Sequence, residues 1–132
     1  MPDTAGTATN KKRPLWYNLN LLHLPVPALM SIGHRASGAF LFLGLIWFLF
    51  LLDMSLVSSA GFEHARSYIA NPLVKLSLIV CLWAYLHHLF AGIRHLLLDL
   101  EIGLELSTAR KSAVAVFAVS IALTALIGAR LW

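Results

Sequence analysis

Three long apolar stretches alternate with shorter polar segments along the chain. The first contains the run from Ala39 to Leu52 and extends as a helical segment from about residue 30 to about residue 57. The second covers about residues 72–99 and the third about residues 112–132. A helix of about 20 apolar residues, rising ~1.5 Å per residue, crosses the ~30 Å hydrocarbon core of a bilayer. The pattern therefore predicts three transmembrane helices.

The other segments are expected to lie outside the lipid core. Residues 1–10 are polar and predict a disordered tail, whereas residues 11–132 are expected to form one membrane-anchor domain. The stretch from Leu15 to Met30 contains two prolines, which favour a short irregular or amphipathic segment at the membrane interface. Residues 53–71 have the composition of a polar loop, and Pro72 is expected in the first turn of the second helix.

The composition is that of a membrane protein. Hydrophobic residues make up 59% of the chain, charged residues make up 12%, and the mean hydropathy is +0.78, whereas a soluble domain has roughly 25% charged residues. The net charge is +4, but the basic residues flank the apolar stretches, so no nucleic-acid partner is expected. The single cysteine, Cys81, excludes an internal disulfide and a CxxC motif. We expect an all-α integral membrane protein surrounded by lipid.

The basic residues predict how the chain is oriented in the membrane. Seven of them fall on the amino-terminal side of the three predicted spans: Lys11, Lys12, Arg13, Arg35, Arg94, Arg110 and Lys111. Three fall on the opposite side: Arg66, Lys75 and Arg130. Because basic residues are enriched on the cytoplasmic side, the amino terminus is expected to face the cytoplasm or a mitochondrial matrix. The absence of a leader rich in arginine and serine favours a bacterial inner membrane.

The first predicted helix has a polar face near its inner end. Ser31, His34, Arg35 and Gly38 follow at i, i+3, i+4 and i+7, which places them on one side of the helix. One interpretation is that His34 and Arg35 reach the lipid headgroups while Ser31 caps the helix. The other is a binding site in which the hydroxyl and the guanidinium donate hydrogen bonds to a quinone carbonyl or a carboxylate. The spacing alone leaves both open.

The second predicted helix has a face of small residues interrupted by two histidines. Its members follow steps of three and four: Cys81, Ala84, His88, Ala91, Gly92, His95 and Asp99. A flat macrocycle fits such a groove, and Gly92 would let it approach the backbone. His88 lies ~16 Å from Asp99 along the helix, which is too deep for a side chain that reaches the membrane surface.

An ionisable residue at this depth of a membrane span indicates a functional site, and histidine is a common axial ligand of haem iron. A packed or hydrogen-bonded histidine is the alternative. His87 is turned about 100° away from His88, so only one of them faces the groove. No other histidine of the chain is well placed opposite His88, so a second haem ligand would come from another polypeptide. Arg35, Arg94 and His95 would then be near enough to bind haem propionates, unless Arg94 is a simple anchor and His95 bonds Asp99.

Two motifs resemble those of the succinate dehydrogenase cytochrome b subunits. Arg13-Pro14-Leu15 followed by the segment Ser31–Gly38 is similar to the amino-terminal signature of that family, in which an RP motif precedes S-I-x-H-R-x-S-G. The segment His88–His95 with the following Asp99 is similar to the second signature, H-x-x-x-G-x-R-H. Gly33 departs from the first signature, since many members have a larger apolar residue there.

The resemblance implies a membrane-anchor subunit of succinate:ubiquinone oxidoreductase that catalyses nothing alone. It implies that His88 is the axial ligand of a haem b shared with a second small anchor subunit. It also implies that Ser31 and Arg35 line the ubiquinone site, and that His34, Arg35 and His95 lie near the haem propionates. The implied partners are the second anchor, an iron–sulfur subunit and a flavoprotein subunit. The alternatives are the anchor of a quinol:fumarate reductase and a structural anchor without haem.

Overall fold

Four helices make up the part of the chain that the structure describes, residues 24–132 of a computed structural model. They are α1 (Val26–Val57), α2 (Ser59–Ile69), α3 (Pro72–Asp99) and α4 (Leu106–Leu131). The predicted tail at residues 1–10 lies outside the described residues, as does most of the predicted interfacial segment.

Three of these helices, α1, α3 and α4, are long and apolar enough to cross a membrane. Large apolar side chains cover their outer surfaces; Phe42 is 70% exposed and Leu43 is 66% exposed. Such a surface is stable only where lipid replaces water. The prediction of an all-α integral membrane protein with three spans is therefore confirmed.

Two of the spans begin earlier than predicted. α1 begins at Val26, so Pro27 lies in its first turn, where a missing N–H costs no helical hydrogen bond. α4 begins at Leu106 and includes Arg110 and Lys111, whose exposed side chains can extend toward the membrane surface. α3 begins at the predicted place, because the Asn71 side chain accepts a hydrogen bond from the Leu73 N–H at 2.9 Å.

The predicted polar loop at residues 53–71 is wrong, because most of it is the helix α2. The Ser58 hydroxyl caps this helix by accepting a hydrogen bond from the Gly61 N–H at 3.0 Å. Phe62, Ala65 and Ile69 follow at helical spacing and face α1 and α3, and Ala65 is only 4% exposed. α2 is therefore an amphipathic helix that packs at the end of the spans where α1 ends and α3 begins.

Small side chains allow α3 to pack between α1 and α4. Ala91 and Ala113 are completely buried, and Met30 of α1 contacts them in the core. On α4, Ser120, Thr124 and Gly128 form a buried face, as their steps of four predict, and Gly128 lies against Ile79 of α3. This packing brings the amino-terminal half of α1 against the histidine-rich part of α3.

Candidate functional site

Three histidines predicted from two separate motifs lie together between α1 and α3. The rings of His34 and His88 are stacked, with centroids 4.1 Å apart and planes only 11° from parallel. The ring of His95 lies 5.1 Å from that of His34. All three are partly buried, so they form one histidine cluster that remains accessible from outside the chain.

The hydrogen bonds of His88 determine which ring nitrogen carries the proton. Its Nδ1 lies 2.9 Å from the carbonyl oxygen of His34 and 3.2 Å from the hydroxyl oxygen of Ser37. A carbonyl oxygen only accepts hydrogen bonds, so Nδ1 is the donor. The Ser37 hydroxyl donates its own hydrogen to the same carbonyl at 2.9 Å and can therefore accept from Nδ1. The neutral ring is left with its lone pair on Nε2, the nitrogen that is free for a metal.

Gly38 lies directly against the His88 ring. A Cβ at this position would be 2.7 Å from Cε1 of His88, a distance that real Cβ atoms essentially never show. By contrast, a Cβ on Gly92 would meet Nε2 of His34 at 3.6 Å, which is an ordinary contact. Gly38 is therefore the glycine that makes room for the His88 ring, whereas the role of Gly92 in letting a macrocycle approach the backbone stays a prediction.

An apolar groove of about 610 Å³ runs between α1 and α3 and begins at Gly38. Its lining contains no charged residue: Gly38, Leu41, Phe42, Leu45, Phe48, Leu78, Cys81, Leu82 and Tyr85. The groove thus combines an apolar surface with a polar histidine cluster beside one end, a combination suited to a large amphipathic ligand.

His87 has different surroundings from its neighbour. It is completely buried, and neither ring nitrogen has a hydrogen-bond partner among residues 24–132. Its ring stacks between Trp83 and Phe117, at centroid distances of 5.4 and 4.8 Å. A Cβ on Gly33 would be 2.9 Å from Nε2 of His87, which accounts for the glycine that departs from the family signature. His87 is thus a core residue at the junction of α1, α3 and α4.

Ser31 and Arg35 form a second polar group on α1. Nη2 of Arg35 donates a hydrogen bond to the Ser31 hydroxyl at 3.3 Å, as the spacing of four residues allows. Arg35 is exposed, and its guanidinium forms no ion pair within the described part of the chain. Both side chains can therefore turn donors toward a ligand.

Arg94 does not point toward the histidine cluster. It is 6% exposed, its Nε donates to the Ser112 hydroxyl at 2.9 Å, and its Nη2 donates to the carbonyl of Ala109 at 3.0 Å. The expected grouping of Arg94 with Arg35 is therefore wrong, because the guanidinium binds α4 instead. The alternative hydrogen bond between His95 and Asp99 is also not formed between these two described residues. Sequence reasoning did not select Ser37, although its position three residues after His34 places it beside the cluster.

Known proteins are similar to this chain over most of its length. The family model for the succinate dehydrogenase/fumarate reductase transmembrane subunit matches residues 9–127. The succinate dehydrogenase cytochrome b556 subunit of Coxiella burnetii is 40% identical over 124 residues, 93% of this chain and 99% of the relative. The cytochrome b556 subunit of Paracoccus denitrificans is 35% identical over 114 residues, 86% of this chain and 88% of the relative.

The similarity extends to a mitochondrial protein. The succinate dehydrogenase cytochrome b560 subunit of Bos taurus is 32% identical over 117 residues, 86% of this chain and 68% of the relative. The family suggested by the two sequence motifs is thus confirmed over most of the chain. The chain belongs to the family of succinate dehydrogenase/fumarate reductase transmembrane subunits, as a cytochrome b membrane subunit of an enzyme complex that catalyses nothing by itself.

Proposed function

We propose that the chain anchors a succinate:ubiquinone oxidoreductase in the membrane, binds haem b jointly with a second anchor subunit and forms part of the quinone site. The observation that carries the proposal is the hydrogen bond from Nδ1 of His88 to the carbonyl of His34. This bond is the kind that orients metal-binding histidines, because it leaves Nε2 as the ligand.

The residues around His88 fit a haem. Nε2 of His88 would be the axial ligand, and the apolar groove that begins at Gly38 can bury much of a flat macrocycle. When bound, the haem supplies one-electron redox chemistry. His34 and His95 lie in the same cluster, and Arg35 is one residue from His34, so these side chains could donate hydrogen bonds to propionate oxygens.

The second axial ligand is proposed to come from the second anchor subunit. The ring of His34 is nearly parallel to that of His88 at 4.1 Å, so the two lie side by side and cannot ligate opposite faces of one macrocycle. His87 is completely buried in the core of the bundle. His64 is on α2, at the other end of the spans. None of these three histidines of the described residues is placed opposite His88, which supports a donor from another chain.

Ser31 and Arg35 are proposed to bind the quinone. The Ser31 hydroxyl lies 3.3 Å from the Arg35 guanidinium, so both donors can reach one carbonyl oxygen of a quinone ring. A quinone held here would be positioned to receive electrons from an iron–sulfur subunit. The rate of this electron transfer depends on the position of the quinone rather than on covalent chemistry. A flavoprotein subunit would oxidise succinate and supply those electrons.

We propose that the chain lies in a bacterial inner membrane with its amino terminus in the cytoplasm. In this orientation, Arg110 and Lys111 at the start of α4 lie on the cytoplasmic side together with the histidine cluster. The peripheral subunits would bind the same side, close to the proposed quinone site. A quinol:fumarate reductase anchor is the second candidate, because the matching family model describes both enzymes.

The composition of the purified complex tests this proposal. The chain with an affinity tag is purified from its native membrane in mild detergent, and the co-purifying subunits and the haem content are measured. We expect a flavoprotein, an iron–sulfur protein and a second small membrane protein, with a b-type absorption band upon reduction. A complex that contains the peripheral subunits but no b-type band would contradict the haem assignment and leave a structural anchor.

A further inference from the structure

The His88 ring is held from one side by two consecutive residues of α1, Ser37 and Gly38. Ser37 is 5% exposed, and its hydroxyl is the only side-chain group of the described chain within hydrogen-bond distance of Nδ1 of His88. Gly38 has no side chain, and this leaves space for the ring, because a Cβ there would lie 2.7 Å from Cε1 of His88. One residue thus contacts the ring with a polar atom, and the next leaves room for it.

We propose that Ser37 and Gly38 form the seat of His88, with the Ser37 hydroxyl as a positioning group that accepts a hydrogen bond from Nδ1 and tunes the haem ligand. The inference rests on the proposed function, in which Nε2 of His88 binds haem iron. Neither residue would contact the haem iron. Ser37 acts through the His88 ring, and Gly38 leaves room for that ring at the end of the groove proposed for the macrocycle.

The chemistry of Ser37 explains why a hydroxyl suits this position. Its hydrogen is donated to the carbonyl of His34 at 2.9 Å, which leaves the oxygen lone pairs directed away from that carbonyl. The oxygen then accepts from Nδ1 of His88 at 3.2 Å, while the same Nδ1–H donates to the carbonyl at 2.9 Å. If Nδ1 carried the lone pair instead, it would face the carbonyl lone pair at 2.9 Å. The carbonyl therefore favours one tautomer, and the hydroxyl oxygen is left to accept from the same Nδ1–H.

This arrangement has a measurable consequence for the haem. Acceptors of the Nδ1–H bond make an axial histidine more basic, and a more basic ligand stabilises ferric over ferrous iron. Ser37→Ala removes one acceptor and is expected to raise the midpoint potential of the haem. Ser37→Thr retains the hydroxyl and is expected to return the potential toward the wild-type value. If Ser37 served only for packing, the hydroxyl of Ser37→Thr would not return the midpoint potential toward the wild-type value.

The experiment is a redox titration of the b-type band in the purified complex for wild type, Ser37→Ala and Ser37→Thr. Ser55→Ala is the matched control, because its hydroxyl donates to the carbonyl of Leu52 on the same helix, three residues back, and contacts no histidine. We expect an upward shift in Ser37→Ala only. Equal potentials in all four proteins would overturn the role of Ser37.

Gly38 is tested by haem content. Gly38→Ala is expected to lower the haem-to-flavin ratio of the complex, because the added methyl group displaces the His88 ring. The control is Gly44→Ala on the same helix, where the Cβ would approach only Sγ of Cys81, at 4.0 Å. An unchanged ratio in Gly38→Ala would overturn the role of Gly38.

If His88→Leu loses the b-type band while the Ser37 and Gly38 variants are unchanged, only this inference fails. A band that survives His88→Leu overturns the proposed function itself.

Discussion

Adjacent residues His87 and His88 have the same side chain and opposite surroundings. A rotation of about 100° about the helix axis separates the two side chains. It places His87 in the core and His88 beside an open groove. The helical pattern of the sequence predicts this difference, because His88 shares a face with Gly92 and His95. The pattern does not predict which helix contacts each ring, since this depends on how α1 and α4 pack on α3.

Gly33 and His87 form a pair whose effects on stability should be coupled. Gly33→Ala is expected to lower the free energy of unfolding by about 1–3 kcal/mol, because the Cβ would be 2.9 Å from Nε2 of His87 and the packed ring cannot move freely. In a His87→Ala background the same substitution should cost much less. Detergent-solubilised unfolding of the four proteins of this double-mutant cycle measures the coupling.

A simple control separates this steric effect from the general cost of an added methyl group. Gly128→Ala places its Cβ 3.7 Å from Ile79, which is an ordinary contact, and should cost less than Gly33→Ala. If Gly33→Ala is as stable as Gly128→Ala, or is not rescued by His87→Ala, the contact between Gly33 and His87 is not the reason for the glycine.

Ser31 and Arg35 should affect quinone reduction without affecting succinate oxidation. Loss of a neutral hydrogen bond in Ser31→Ala is expected to lower succinate:quinone activity roughly 2- to 10-fold, and loss of a charged donor in Arg35→Leu roughly 10- to 100-fold. Electron transfer from succinate to a soluble dye should be unchanged, because it bypasses the quinone. The two assays on one membrane preparation measure this split.

The matched control for Arg35→Leu is Arg66→Leu, which removes an exposed arginine of α2 that forms a long 3.8 Å ion pair with Glu63. It should leave both activities unchanged. Equal losses of quinone and dye activity in Arg35→Leu would contradict the proposed quinone role.

At the scale of the helices, the contacts that sequence reasoning missed connect different elements. The amphipathic spacing in α2 was obscured by the charged residues Glu63 and Arg66, which made the segment resemble a loop. Arg94 has the position of a simple anchor near a helix end, but its partners Ser112 and Ala109 are on α4. Periodicity along one helix shows which residues share a face and cannot identify the helix that faces them.

Arg94 is expected to stabilise the contact between α3 and α4. Arg94→Leu should lower the stability of the complex by roughly 1–3 kcal/mol, since it removes two hydrogen bonds of a buried charged group. Arg94→Lys should not restore it, because a single ammonium cannot reproduce the planar guanidinium geometry. Thermal unfolding of the purified complex measures the effect, with Arg110→Leu as the control at an exposed position of α4. Full rescue by lysine would show that charge alone matters at this position.

At the scale of the whole molecule, the hydrophobic pattern was sufficient to predict three spans and the fold class. Each span has an apolar surface that requires lipid, and this property follows from the length and composition of the span alone. The histidine cluster was also predictable in part, because His34, His88 and His95 stand at helical spacing in two motifs. The positions of Ser37 and Gly38 against His88 were not, because they result from the packing of α1 on α3.

The orientation of the molecule in the membrane is a further prediction. With a cytoplasmic amino terminus, α2 lies outside the cytoplasm and the turn between α3 and α4 lies inside. The cysteine introduced by Glu63→Cys should therefore react with a membrane-impermeant maleimide when the outer membrane of the cells has been removed. Glu105→Cys should react only after the membrane is opened, and native Cys81, which is buried, provides the background. The reverse labelling pattern would contradict the orientation.

The central claim is that His88, and not His87, holds a haem at the surface between α1 and α3. The most direct measurement is the reduced-minus-oxidised spectrum of the purified complex for wild type, His88→Leu and His87→Leu, at equal flavin content. We predict a b-type band in wild type and in His87→Leu, and its loss or shift in His88→Leu. A band that is unchanged in His88→Leu, or lost only in His87→Leu, would contradict the claim.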